Sequence, residues 1–158
     1  MKMNRSTEQA VFVVLMLALQ EEHRPVASST LARILKVSDS YLKKILRKMV
    51  VTGIVESSAS RGGGHSLCRP ASEVTLADIV DAVDEMAFDP GTGHLAQNLF
   101  GDDPHVGQAE RKVQDAFTGG FDALRAHLAQ ATVEDLLDPN RDPADGIDWE
   151  ARLAGRPL

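Results

Sequence analysis

Cysteine is almost absent. Of 158 residues only Cys68 carries a thiol, so no disulfide framework is available within the chain. Aromatic residues are scarce at 4%, with one Trp and one Tyr. The longest apolar run, Ala10 to Leu19, has ten residues, whereas a membrane span needs about 20; a core helix is expected there. The start, Met1-Lys2-Met3-Asn4-Arg5, is charged and polar and does not read as a secretory leader. With the single thiol, that gives a cytoplasmic expectation. Catalytic signatures are also missing: there is no HExxH, no GxGxxG, no Ser/His/Asp order and no convincing carboxylate pair, so no enzyme is expected. Gly62-Gly63-Gly64 is not followed by GKS or GKT, which excludes a P-loop.

What is present is enough for one domain, or one plus an appendage. A chain of about 150 residues buries roughly 68 to 70% of its unfolded surface, so no metal or disulfide staple is needed. The formal net charge of −6 conceals a division. Residues 1–70 hold 11 of the 17 Lys and Arg but only five of the 23 Asp and Glu, a balance of +6 that leaves −12 for the remainder. A basic front half can pair with phosphate although the whole chain is acidic, because charge acts locally over a Debye length of about 8 Å. Two ordinary solvated faces would give the same numbers, so pattern has to decide.

Ser6 and Thr7 are candidate N-caps for a central first helix ending near Leu19, and Arg24-Pro25 breaks the chain after it. Ser28 or Ser29 is expected to cap a short helix from Thr30 to Leu35. Lys36-Val37-Ser38 then leads into a third helix capped by Ser38. There Leu42, Ile45, Leu46, Met49 and Val50 recur at helical spacing, while Ser40, Lys43, Lys44, Arg47 and Lys48 fall on the opposite face. Two helices joined by three residues, the second apolar inside and basic outside, form a helix-turn-helix pattern. Gly53 reads as the helix stop. Ile54 to Ser57 and His65 to Cys68 then read as two strands around the polar, glycine-rich stretch 58–64, a wing.

Thr75-x-x-Asp78 resembles a capping box opening a helix to about Ala87. Asp89 to Gly107 reads as a loop, and a long helix is expected from Gln108. Val113, Phe117, Phe121, Leu124 and Leu128 form a near-heptad stripe along it, expected to mediate dimerisation. Thr132 to Leu137 makes a short cap. The Pro- and Asp-rich stretch 138–158 is expected to be disordered, with Trp149 the one residue that would dock. The expected organisation is thus a DNA-binding unit over 1–87, a loop over 88–107, a dimerisation helix and cap over 108–137, and the tail.

A recognition helix reads base edges with side chains of its N-terminal half and holds phosphate with cations further along. Ser38, Asp39, Ser40, Tyr41, Lys43, Lys44, Arg47 and Lys48 are the expected contacts. Ser29 and Thr30, at the start of the preceding helix, are candidates for holding a phosphate on a helix N-terminus. Lys2 and Arg5 at the start of the chain, and Arg61, Gly62, Gly63 and His65 of the wing, are expected DNA contacts as well.

Val37-Ser38-Asp39-Ser40-Tyr41-Leu42, Gly53-Ile54-Val55-Glu56-Ser57, Gly62-Gly63-Gly64 and Leu76-Ala77-Asp78-Ile79-Val80-Asp81-Ala82-Val83-Asp84 together resemble the Rrf-two family of bacterial winged helix-turn-helix regulators. The resemblance spans the chain to about Leu137. It implies a mainly α fold with a two-stranded wing and a long C-terminal dimerisation helix. It further implies a homodimer that reads a palindrome in double-stranded DNA and acts as a transcriptional regulator, as a repressor. Members that bind an iron-sulfur cluster carry three cysteines in the loop before the dimer helix, here Asp89 to Gly107. That loop has none, so no cluster and no other cofactor is expected. The wing departs as well: Ala59, Ser60 and Arg61 stand where members commonly have Arg, Gly and Pro, and His65 takes the usual aromatic position.

Two alternatives stay open. One is a winged helix that binds a partner protein, for which the acidic second half and the region of Trp149 are suited. The other is a thiol- or metal-responsive sensor using Cys68, or His94 and His105 with Asp89, Asp102 and Asp103.

Overall fold

A computed structural model describes residues 4–59, 62–84, 95–101, 104–142 and 145–155. Helix α1 (Arg5–Leu19) runs through the centre, with Ala10, Val13 and Val14 fully buried. Its Phe12 is half exposed, so the run is not apolar on every side for burial. Asn4 takes the N-cap position. The cap expected at Ser6 or Thr7 fails: both hydroxyls donate instead to the carboxylate of Asp84, 78 and 77 residues further along the chain.

Helices α2 (Ser28–Leu35) and α3 (Asp39–Val51) form the helix-turn-helix. Lys36, at φ 55°, turns the chain in the left-handed region, and Val37 N–H returns to Ala32 O at 2.9 Å. The expected cap at Ser28 or Ser29 fails: α2 begins at Ser28 and its N-cap, Ala27, has no side chain to offer. Leu42, Leu46 and Met49 of α3 lie fully within the core, against Leu17, Leu31 and Ile79. Gly53, at φ 71°, follows the helix as the periodicity predicts.

Strands β1 (Val55–Ser57) and β2 (His65–Leu67) pair antiparallel in the register Val55 with Leu67, Glu56 with Ser66 and Ser57 with His65. Val26 joins their outer side through two backbone hydrogen bonds with His65, of 2.9 and 2.8 Å. Gly64 is required there: a Cβ would stand 2.4 Å from the Val26 backbone.

Helix α4 (Leu76–Val83) opens with the predicted capping box: Thr75 N–H donates to Asp78 Oδ2 at 2.9 Å and Asp78 N–H to Thr75 Oγ1 at 3.1 Å. It ends at Val83, short of the expected Ala87. The loop expected over 89–107 contains a short helix, α5 (Leu95–Phe100), and the long helix α6 (Pro104–Leu128) begins four residues earlier than the Gln108 expected. Beyond α6, Leu76 N–H donates to Ala131 O at 2.9 Å and Val133 N–H to Val74 O at 2.8 Å; Val133 is fully buried.

The tail is where the sequence expectation fails most. It folds back on the helix-turn-helix unit, and α7 (Trp149–Leu153) packs there, capped by Asp148. Near the C-terminal end of α1 the Gln20 N–H turns to Leu17 O, leaving the Met16 carbonyl for another donor. Trp149 Nε1 supplies it at 2.7 Å, and Ile147 N–H supplies Leu19 O at 2.8 Å. Gly146 lies so close to Glu21 that a Cβ would meet its Cα at 2.3 Å. The tail thus brings one side-chain donor, on the Trp149 ring expected to dock, and one backbone donor, Ile147 N–H, to a helix end; its Pro- and Asp-rich composition conceals the second.

Candidate nucleic-acid interface

The outer face of α3 is built by its own periodicity: once Leu42, Ile45, Leu46 and Met49 turn inward, Ser40, Tyr41, Lys43, Lys44, Arg47 and Lys48 are left outside, and all six are exposed. Ser38 caps the helix by accepting the Tyr41 N–H at 3.1 Å, and its Oγ lies 3.2 Å from that of Ser40. Tyr41 is 40% exposed. Asp39 is engaged twice: Lys43 Nζ lies 2.7 Å from Oδ2, and Ser28 Oγ donates to Oδ1 at 2.8 Å. Lys43 first, and Ser28 after it, hold the Asp39 carboxyl below its ordinary range. The Ser28 bond ties the first turn of α2 to the first turn of α3. Sequence reasoning missed this bond, since no periodic signal relates residues 11 apart in different helices.

The cations of this face therefore differ. Lys43 is neutralised by Asp39. Lys48 Nζ donates to Val83 O at 2.8 Å and so faces α4. Lys44 and Arg47 have no hydrogen bond or ion pair among the described residues and present their charge outward. Ser29 is exposed in the first turn of α2, whereas Thr30 is 8% exposed. Its expected phosphate contact is corrected: Thr30 faces inward in the same turn that turns Ser29 out. Arg5 is exposed in the first turn of α1, and Lys2 lies outside the described residues.

In the wing, Gly62 is exposed and Gly63 half-buried, while Arg61 lies outside the described residues. His65 is not at the tip. It is the first residue of β2, half-buried, and its Nδ1 is buried without a hydrogen-bond partner. Burial lowers its pKa, a hydrogen bond with the Val26 backbone opposes this, and the nearby Lys43 charge lowers it further. An imidazole in that position packs the wing root, away from the open side on which the expected DNA contact would lie.

Along α6 the predicted stripe lies largely uncovered: Val113 is 55% exposed and Phe117 53%, with Phe121, Leu124 and Leu128 partly covered. Ala116, Phe117, Gly120, Phe121 and Leu124 line an open apolar groove. Helix α6 is fastened to α4 by Arg125, whose Nη2 and Nε lie 2.6 and 2.7 Å from Asp81 Oδ2.

Among the described residues no three His, Cys, Asp or Glu side chains stand together to hold a metal. His105 is exposed in the first turn of α6; His94, Asp89, Asp102 and Asp103 lie outside the described residues. Cys68, the only thiol, is exposed beside the wing. One thiolate cannot supply the cysteine set that an iron-sulfur cluster uses, so this donor set does not fit one. No helix among the described residues is long and apolar enough to cross a membrane.

Comparison with known proteins gives a consistent result. Residues 3–139 match the Rrf2 family model, described as an iron-dependent transcriptional regulator. The chain is 36% identical over 130 residues to the protein named as HTH-type transcriptional regulator YffB of Lactococcus lactis, covering 82% of this chain and 80% of that one. It is 37% identical over 106 residues to the protein named as HTH-type transcriptional regulator YwgB of Bacillus subtilis, covering 66% and 67% respectively. In fold it is similar to CymR, the global cysteine regulator of B. subtilis, with a TM-score of 0.60 at 20% identity over 86% of this chain and 95% of that one.

Proposed function

The chain belongs to the Rrf2 (Rrf-two) family of transcriptional regulators, and from that premise we propose that it binds a palindromic promoter site as a homodimer and represses by occupying it. The carrying observation is the outward charge of Lys44 and Arg47 on the solvent face of a helix-turn-helix second helix, in a front half with a balance of +6. Ser38, Ser40 and Tyr41 at the N-terminal end of α3 are suited to base edges, Lys44 and Arg47 to phosphates, and Ser29 to a phosphate beside the start of α2. The uncovered stripe of Val113, Phe117, Phe121, Leu124 and Leu128 is suited to a second copy, which would present two such helices to one duplex. The regulator works in the cytoplasm, has no enzymatic activity and carries no iron-sulfur cluster; Cys68 alone offers one thiolate per chain.

The test is fluorescence-polarisation binding to a duplex selected by the protein from a random pool, repeated over a salt series. Affinity should fall with salt at a log-log slope of about −0.9 for each phosphate neutralised. Lys44→Ala and Arg47→Ala should each weaken binding and make that slope shallower by about 0.9 while leaving the melting temperature unchanged. If no duplex is selected, or if affinity does not depend on salt, the reading fails. Native mass spectrometry of protein prepared without air or chelator reports dimer mass and bound iron together; a cluster mass would refute the cluster-free assignment.

A further inference from the structure

Lys48 stands on the cationic face of α3, yet its ammonium is turned to the protein. Val83 closes α4, and its carbonyl is among the last four of that helix, which lack intrahelical donors. Lys48 Nζ reaches it at 2.8 Å and brings a positive charge to the negative end of the helix. A hollow of about 300 Å³, lined by Lys44, Arg47, Lys48, Val51, Thr52 and Ala82, lies beside this bond. Met49 of α3 and Ile79 and Val83 of α4 share the core beneath, and on the solvent side of that packing the Lys48 bond spans from α3 to α4.

The adjoining residue, Asp84, is held from another direction by Ser6 and Thr7 of α1. Helix α4 is in turn fastened to α6 by Arg125 on Asp81, and to the segment that follows α6 by the Leu76 N–H to Ala131 O bond. One eight-residue helix thus carries the recognition helix on one side and the long helix on the other.

We propose that Lys48 is a positioning residue for DNA binding: it does not touch DNA but fixes the tilt of α3 on α4, and through α4 and α6 the separation of the two recognition helices in the dimer. This rests on the DNA-binding, dimeric reading above. Half-sites of such dimers lie about 34 to 36 Å apart along the duplex. A small rotation of α3 about its buried side, with α6 as the fixed frame, changes that separation.

The experiment uses the full chain and the duplex the wild type selects from a random pool, together with versions whose half-site spacing is one base pair longer or shorter. Lys48→Met keeps the aliphatic stem and removes the donor. It should bind roughly three- to tenfold more weakly, the size expected of a change acting through packed elements, with the wild-type salt slope and a flattened spacing preference. Lys48→Ala should behave alike, Lys48→Arg should restore both affinity and spacing, and hydrogen exchange at the last turn of α4 should quicken in Lys48→Met without DNA. Lys44→Ala is the contrast, its slope shallower by about 0.9 and its spacing preference kept. A Lys48→Met slope shallower by about 0.9 with spacing intact would make Lys48 a phosphate contact and overturn the proposal, as would unchanged affinity. A wild type that selects no duplex removes the DNA-binding reading, and the positioning role with it.

Discussion

The indole Nε1 of Trp149 donates a 2.7 Å hydrogen bond to the carbonyl of Met16, 133 residues earlier in the chain. With Ile147 N–H on Leu19 O it completes the end of α1 from a segment that lies beyond the residues 3–139 matched by the family. The ring is 7% exposed, and Arg152 lies over it at 5.4 Å from the centroid.

Trp149→Ala should therefore destabilise the chain by about 3 kcal/mol, at the low end for a buried Trp because the tail can detach and need not leave a cavity. Trp149→Phe, which retains most of the ring and loses the donor, should cost about 1 kcal/mol. Urea unfolding gives the two values, and limited proteolysis between residues 138 and 145 reports release of the tail. Equal stability of Trp149→Ala and wild type would mean that the tail is not fastened.

At the wing root the relevant distance is between Gly64 and the Val26 backbone. Gly64→Ala places a Cβ 2.4 Å from a carbonyl carbon and oxygen that belong to main chain and cannot rotate away. It should cost about 2 kcal/mol, in the range of overpacking, and spread the hairpin from Val26. Loss of hydrogen-exchange protection at Val26 and His65 is the specific sign; a variant as stable as the wild type would contradict the close approach.

His65 gives a pH dependence with a definite sign. Its pKa is lowered in the folded chain by burial, so the unfolded chain binds the proton more readily. The stabilisation is fully present above the unfolded value of about 6.5 and is lost as pH falls through the folded one. Urea midpoints measured between pH 8 and pH 5 should fall on the acid side, and His65→Phe should flatten that part of the profile. A profile that His65→Phe leaves unaltered would show that another group titrates there.

Phe117 is half exposed within the stripe on α6. Phe117→Asp puts a charge where a second copy would have to desolvate it, and should shift the protein to single subunits at micromolar concentration by sedimentation velocity. Its circular dichroism should remain unchanged, because no core side chain is touched. A dimer that survives the substitution would place the subunit contact elsewhere.

The parts legible in the sequence share a scale of one helical turn or one hairpin. The apolar spacing of Leu42 to Met49, the Ser38 cap, Gly53 as helix stop and the Thr75 and Asp78 box are all satisfied by residues within four positions of one another. The turn from Leu35 to Asp39 is similarly local. The inward turn of Thr30, the burial of the His65 ring at the wing root beside Val26 and the capture of Ser6 and Thr7 by Asp84 were not legible. Each is decided by which distant element lies alongside.

Periodicity by itself determined which face of α3 is apolar and which is cationic, because 3.6 residues per turn leave no other arrangement. The same period sets Lys43 one turn from Asp39, so their ion pair is local; only the tertiary structure turned Lys48 to Val83, while Lys44 and Arg47 stay outward. It also assigned the tail to the end of α1. The physical reason is the same in each case: a helix terminus leaves carbonyls without donors, and the side chain that reaches them is set by packing across the molecule, which no local pattern encodes.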